Sequence, residues 1–269
     1  MRFTEANYQA ACDACGEGLR LRQPADALLS AYFRRNVRLG KQDRAVIAET
    51  VYAVLRRKRL LSHLLGDAPV RMHVLAAWAV LLGANLRELE GLAKPKDLGA
   101  IAAAKSAAHE ALPFEVQCDL PDWLIEKLIT QYAVDGDDSQ ARAQVLALAQ
   151  GLIRQAPLDL RINAVKTSRD EARARLAADG IAVTETPFSP YGLRVSGKPP
   201  VNRHPLFVTG ALEVQDEGSQ LLCVLLGAKR GEMVADFCAG AGGKTLAIGM
   251  MMRSTGRLNA FDISANRLE

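Results

Sequence analysis

The sequence has few aromatics (5%), four histidines, five cysteines and no long apolar run. No window approaches the roughly eighteen uninterrupted apolar residues that a membrane span needs. The opening Met1-Arg2-Phe3-Thr4-Glu5 lacks the apolar stretch of a signal peptide. A cytoplasmic protein with no membrane partner is the expectation. Cys12, Cys15, Cys118, Cys223 and Cys238 are odd in number and scattered, which points to reduced thiols and away from a disulfide framework. Cys12-Asp13-Ala14-Cys15 has the spacing of half a zinc site or of a redox pair. No second pair or spaced histidine completes four ligands, so two small residues on a helix are the simpler reading and no metal site is expected. His63, His73, His109 and His204 show no ligand or triad spacing and are expected on helix surfaces or in loops.

What remains is ordinary globular material, 49% apolar and 24% charged over 269 residues, enough for two or three units and a sizeable core. The formal charge of +4 is uneven: between Met1 and Leu65, twelve Lys and Arg face six acids, leaving +6. A basic helical module suits a polyanion such as RNA; a solvated helix face is the alternative.

Residues 1–150 read as an all-α bundle. Pro24 opens a helix whose Leu28, Leu29, Tyr32 and Phe33 share a face. Asp43 can cap the next helix, with Val46, Ile47, Thr50, Val51, Val54 and Leu55 as its stripe. Met72 to Leu82 is apolar nearly all round and should be buried, and further helices are expected at 97–110, 121–133 and 138–151. Residues 151–210 read as a small α/β subdomain. Leu158 to Val165 alternates as a strand, Ser168 caps a helix that Gly180 closes, and 181–184 and 191–195 are short strands.

Residues 211–269 carry the strongest pattern. An amphipathic helix over Glu217–Leu226 precedes a buried strand over Met233–Phe237. A turn of small residues, Cys238-Ala239-Gly240-Ala241-Gly242-Gly243, leads to a helix from Lys244 to Met252 and a second strand from Arg257 to Asp262. Strand, glycine turn, helix and strand make the opening βαβ unit of a Rossmann-like sheet. A turn without side-chain bulk offers bare backbone N–H groups in the positive field of a helix N-terminus. Three ligand classes use that geometry. A Walker loop would need glycine where Cys238 stands, and a dinucleotide fingerprint would need a third glycine where Thr245 stands. S-adenosylmethionine fits better, since Asp262 closes the second strand nineteen residues after Gly243, near the spacing of about twenty for ribose-binding acids.

Val214-Gln215-Asp216-Glu217-Gly218-Ser219-Gln220, followed by Asp236-Phe237-Cys238-Ala239-Gly240-Ala241-Gly242-Gly243-Lys244-Thr245, resembles the paired signature of RNA cytosine-C5 methyltransferases of the RsmB/Sun family. Phe261-Asp262-Ile263-Ser264 is similar to that family's ribose-binding turn. Leu39-Gly40-Lys41-Gln42-Asp43-Arg44 with Val51-Tyr52-Ala53-Val54-Leu55-Arg56 resembles its NusB-like RNA-binding helical domain, and Pro157 to Asn163 the start of its small subdomain. The family usually has Ala-Pro where this chain has Gly240-Ala241, a change that loosens the turn by roughly several tenths of a kcal/mol.

The resemblance implies three parts: a NusB-like domain at 1–150, a pre-methyltransferase subdomain at 151–210 and the first part of a Rossmann-like methyltransferase domain at 211–269. It implies S-adenosyl-L-methionine as cofactor, lined by Cys238, Ala239, Gly240, Ala241, Gly242, Gly243 and Lys244, with Asp262 on the ribose. It implies RNA as the partner, small-subunit rRNA above all, and a monomer. The implied reaction adds a cysteine thiolate to C6 of an unpaired or extruded cytosine, so that C5 takes the methyl group; a second cysteine assists removal of the C5 proton. Both family cysteines fall in Pro-Cys and Thr-Cys loops downstream of the ribose-binding strand, beyond Glu269. No catalytic residue is therefore assigned within the chain, and these residues alone are expected to be inactive, with an incompletely covered sheet. Cys238, though at a helix N-terminus that can depress a thiol pKa, is expected to line the cofactor, and Cys223 to be core. Asp216 either positions neighbouring loops or caps the helix from Glu217. The alternatives are an RNA-binding module acting through the basic helical half and a P-loop NTPase using Lys244.

Overall fold

The computed structural model describes residues 3–133, 136–197 and 199–268; Met1, Arg2 and Glu269 lie outside them. The chain divides into two compact units, 1–155 and 156–269. Within the first, helices run α1 Glu5–Gly18, α2 Ala25–Arg35, α3 Lys41–Arg56, α4 Lys58–Leu65, α5 Val70–Ala76, α6 Leu86–Leu89, α7 Pro95–Ala107, α8 Phe114–Cys118, α9 Asp122–Tyr132 and α10 Asp138–Ile153. The run expected as one buried helix, 72–82, begins in α5 and widens into a π-helical turn at Ala77–Leu81. Met72 to Ala79 are buried as the run's all-round apolarity implies, while Val80, Leu81 and Leu82 are half-buried. Trp78, fully buried at its centre, donates from Nε1 to Thr50 Oγ1 at 2.7 Å, which satisfies the only polar atom of a ring packed against Phe3 and Tyr8.

α3 starts two residues before Asp43, after the N-cap Gly40. Asp43 still closes the helix start, from inside: its Oδ2 accepts the Gly40 N–H at 3.0 Å. A second cluster in this unit joins Cys118, Ile125, Val145 and Ala149 from α8, α9 and α10. Asp119, left-handed at the end of α8, ties α8 to α4. Its Oδ1 accepts the N–H groups of Arg59 at 2.8 Å and Leu60 at 3.2 Å. Its Oδ2 lies 3.1 Å from Arg57 Nε as an ion pair, out of line for a hydrogen bond.

The second unit opens on β1 Leu158–Ile162, α11 Arg169–Ala178, β2 Val183–Glu185 and β3 Gly192–Val195, then α12 Pro205–Val208 and β4 Leu212–Val214. The four strands form an antiparallel sheet in the order β2-β3-β1-β4. Ser168 caps α11 in a reciprocal box with Glu171, and Gly180 is left-handed just beyond its end. Gly192 is required by crowding, since a Cβ there would lie 1.9 Å from Thr186 Oγ1.

Leu160 and Ile162 face a core shared with Ala172 and Leu176 of α11. The alternate residues Asp159 and Arg161 are equally buried. β4, which the sequence pattern did not mark, leads into α13 Glu217–Leu226, β5 Met233–Asp236, α14 Gly243–Met251, β6 Arg257–Ala260 and α15 Ala265–Leu268. β5 and β6 pair in parallel, with α14 as the crossover.

The strand expected to be buried at 233–237 is not: Met233 is 72% and Phe237 80% exposed. Only one side of the β5–β6 pair is covered, where Val234 and Leu258 meet Cys223, Ala247 and Ile248 of α13 and α14. Among the described residues no single helix is long and apolar enough to cross a membrane.

Candidate cofactor site

β5 ends on Asp236, and six residues separate it from the start of α14. Gly240 and Gly242 have φ of 56° and 79°, conformations that L side chains avoid. Nothing lies within 4 Å of where a Cβ would stand on either. Backbone conformation, not crowding, demands glycine here, and open space borders the turn. Three amides are used within the turn: Ala239 N–H donates to Phe261 O and Gly242 N–H to Ala239 O, both at 2.9 Å, and Gly240 N–H donates to Asp262 Oδ2 at 2.9 Å. The cradle is therefore narrower than a row of bare amides. Its remaining donors include those of Gly243, Lys244 and Thr245 in the first turn of α14, which a helix leaves without internal partners and which carry its positive dipole end.

The positions singled out from the sequence thus meet. The second strand, expected to run to Asp262, stops at Ala260; Asp262, two residues beyond it, touches Gly240 directly, and its Oδ1 accepts the Ser264 N–H at 2.9 Å. These two amide bonds hold its carboxyl below the usual aspartate range. Cys238 and Lys244 are exposed, and Ala239 is tucked in. Thr245 Oγ1 donates to Asp236 Oδ2 at 2.6 Å, fastening the end of β5 to the first turn of α14.

Behind the turn, the segment from Val214 to Gln220 proves to be a clamp, which motif matching alone did not reveal. Asp216 caps α13 through Gly218 N–H at 2.9 Å, which decides between its two expected roles in favour of capping. Glu217 Oε1 accepts the N–H groups of Phe188 at 2.6 Å and Ser189 at 2.8 Å. Burial raises the pKa of this carboxyl, but those amides and the nearby Arg194 outweigh burial and leave it below the usual range. Gln220, fully buried, accepts from Ser189 Oγ at 2.6 Å and donates to Gln215 O at 2.8 Å. Arg161 donates from Nε to Gln215 Oε1 at 2.7 Å. Arg194 forks onto Asp159 at 2.8 and 2.9 Å. The signal for these roles was polarity at otherwise buried positions, visible only once burial is known.

The thiols separate sharply. Burial pushes Cys12 up to about 11 and Cys15 up to about 12, and raises Cys118 and Cys223 as well. Cys223 sits in the core with its Sγ directed at Ser219 O. His73 is buried on α5, contrary to a helix-surface placement, and His204 lies in a loop as expected but is buried there. His204 earns this by accepting the Leu206 N–H at Nδ1 and meeting Asp179 with Nε2 at 3.0 Å. No cluster of metal-ligating side chains occurs among the described residues.

In the helical unit several of the basic side chains are spent on folding: Arg35 pairs with Glu17, Arg56 with Glu49, Arg57 with Asp119 and Arg59 with Asp122. A groove of about 470 Å³ lined by Leu55, Lys58, Arg59, Ser62, Asp119, Leu120 and Pro121 keeps part of the basic character at the surface.

A parallel βαβ unit with a left-handed glycine turn and an acid two residues beyond its second strand has the geometry that nucleotide-cofactor sites use. Comparison with known proteins narrows that class. Residues 120–202 match the family model described as Methyltr_RsmF/B-like, ferredoxin-like domain. The chain is 30% identical over 266 residues to a probable ribosomal RNA small subunit methyltransferase B from Synechocystis, covering 86% of this chain and 58% of that protein. It is 24% identical over 277 residues to the corresponding Bacillus subtilis protein, covering 91% of this chain and 60% of that one. The solved structure described as "Crystal Structure of PH0851" superposes with a TM-score of 0.66 at 19% identity, covering all of this chain and 66% of that chain; the likeness is one of fold. The chain is similar to ribosomal RNA small subunit methyltransferase B proteins over most of its length and spans about three-fifths of the length of these curated relatives.

Proposed function

We propose that this chain is the RNA-engaging and cofactor-binding part of an S-adenosylmethionine-dependent RNA methyltransferase acting on C5 of cytosine in small-subunit rRNA, with residues 1–150, 151–210 and 211–269 as its NusB-like, linking and Rossmann-like parts. The observation that carries the reading is the contact between Asp262 and Gly240. It sets an ionised carboxylate beside a glycine turn where nothing lies within 4 Å of a Cβ built on Gly240 or Gly242.

The residues present fit the cofactor. Cys238 to Lys244 line its edge, and the free amides of the first turn of α14 offer donors to its carboxylate end. Asp262 has the charge and position to accept from ribose hydroxyls. When bound, the cofactor supplies an electrophilic methyl group on a sulfonium. The chain's own task is to orient that group, to exclude water along the turn, and to hold RNA through basic residues of its helical part. The attacking thiolate is not among these residues. Four of the five cysteines are held as thiols by burial, and Cys238 belongs to the cofactor's edge. The chain by itself therefore binds cofactor and RNA without transferring the methyl group.

Calorimetric titration with S-adenosylhomocysteine tests the assignment. Wild-type chain is expected to bind, and Asp262→Ala to lose at least about tenfold in affinity, the scale of a charged hydrogen bond. Absence of heat with wild type defeats the cofactor reading. Labelled methyl appearing on rRNA with this chain alone defeats the claim of inactivity.

A further inference from the structure

The second unit contains a buried cation that makes no ion pair among the described residues; Glu213, its register partner on β4, acts on it only at longer range. Arg161 is 1% exposed, and its hydrogen bonds go to neutral acceptors: Gln215 Oε1 at 2.7 Å from Nε and the Met250 sulfur at 3.7 Å from Nη1. The nearby Asp159 is taken by Arg194. Leaving a guanidinium in such a place is costly, so its contacts must do something that an apolar residue could not.

Both of its partners reach α14. Met250 lies in the last turn of that helix, and its sulfur also accepts the Ala164 N–H at 3.1 Å. Gln215 is anchored to β1 by its own N–H on Asp159 O at 3.1 Å. Its side-chain nitrogen lies 3.6 Å from where a Cβ would stand on Gly243, the first residue of α14. One side chain on β1 thus governs what touches the two ends of the helix whose N-terminus forms the glycine turn.

We infer that Arg161 is a positioning residue for the candidate cofactor site: with Gln215 and Met250 it locks α14 against the antiparallel sheet and so sets the place of the amides at 243–245. The inference deepens the S-adenosylmethionine reading and rests on it for its ligand arm alone. A thioether suits the far end, being a weak acceptor that costs little to bury and fits an irregular gap. The near end needs a planar donor, because Nε and Nη1 must serve two acceptors on different elements.

The test is hydrogen–deuterium exchange of the whole chain, read in the peptide covering 239–246 and in α11, beside titration with S-adenosylhomocysteine. Arg161→Met is expected to speed exchange at 239–246 by about tenfold or more, as loss of a charged hydrogen bond implies, with α11 unchanged. It should weaken ligand binding by a similar factor. Should Arg161→Met fail to fold, Met250→Leu decides: it keeps the volume, removes the sulfur acceptor and is expected to speed exchange in α14. Gln215→Glu gives the guanidinium a carboxylate and is expected to slow exchange at 239–246 below wild type, a gain that mere structural tolerance would not produce. Unchanged exchange at 239–246 in both Arg161→Met and Met250→Leu overturns the inference, as does equal acceleration in α11. Failure of wild type to bind ligand would sink the cofactor reading while exchange still decides the role of Arg161.

Discussion

The core of the helical unit and the β5–β6 pair are built from similar residues and end in different states. Around Trp78, the residues Val74, Leu75, Ala76 and Ala77 are sealed from solvent on every side. Met233, Phe237, Phe261 and Ile263, no less apolar, stand in the open. The difference is layering. Helices α1, α3, α5 and α7 enclose their shared core from several directions, whereas two parallel strands have α13 and α14 on one side and no third element on the other among the described residues. Apolarity states what a segment can bury; neighbours decide whether it does.

That contrast can be broken by substitution. The largest effect is expected at Trp78→Ala, which empties the sealed core and strands Thr50 Oγ1; urea unfolding should show a loss of about 3–5 kcal/mol. Next comes Gly256→Ala. Its φ is 89° and a Cβ there would sit 2.4 Å from Glu232 O, so the approach to β6 should weaken by about 1–3 kcal/mol, seen as faster exchange at 257–260 with the helical unit unchanged.

A smaller effect is expected from acid. The pKa of Asp262 is depressed in the folded chain by the Ser264 and Gly240 amides. Its contribution is therefore present above the ordinary aspartate pKa and is lost as pH falls through the depressed value. Exchange at Gly240 should rise only in that acid window, and Asp262→Asn should flatten the dependence. The smallest effect belongs to the open face: Met233→Thr or Phe237→Ser should change stability by no more than about 0.5 kcal/mol in urea unfolding. A loss of 3 kcal/mol or so at either would show that this face is covered after all.

Much of the local structure was legible from short-range chemistry. Ser168 with Glu171 and Gly180 bracketed α11 because caps and left-handed glycines act over three or four residues. The same holds for α13, ended by Gly227, and for the glycine turn, whose left-handed Gly240 and Gly242 match its expected lack of bulk. β4 was missed because three residues at 212–214 carry too little alternation to read. The exposure of β5, the burial of His204 and the clamp through Gln215 and Gln220 were out of reach, since each depends on partners 25 or more residues away.

By itself the sequence determined where many of the helices and strands lie, which residues make a turn without side chains, and which family the motifs resemble, because capping, periodicity and backbone freedom are local properties. Tertiary structure alone decided that Asp262 grips Gly240, that three turn amides are already engaged, and that Arg161 is buried between the sheet and α14. Hydrogen bonds and desolvation act between groups that the chain brings together only by folding, and no spacing along it encodes their distance.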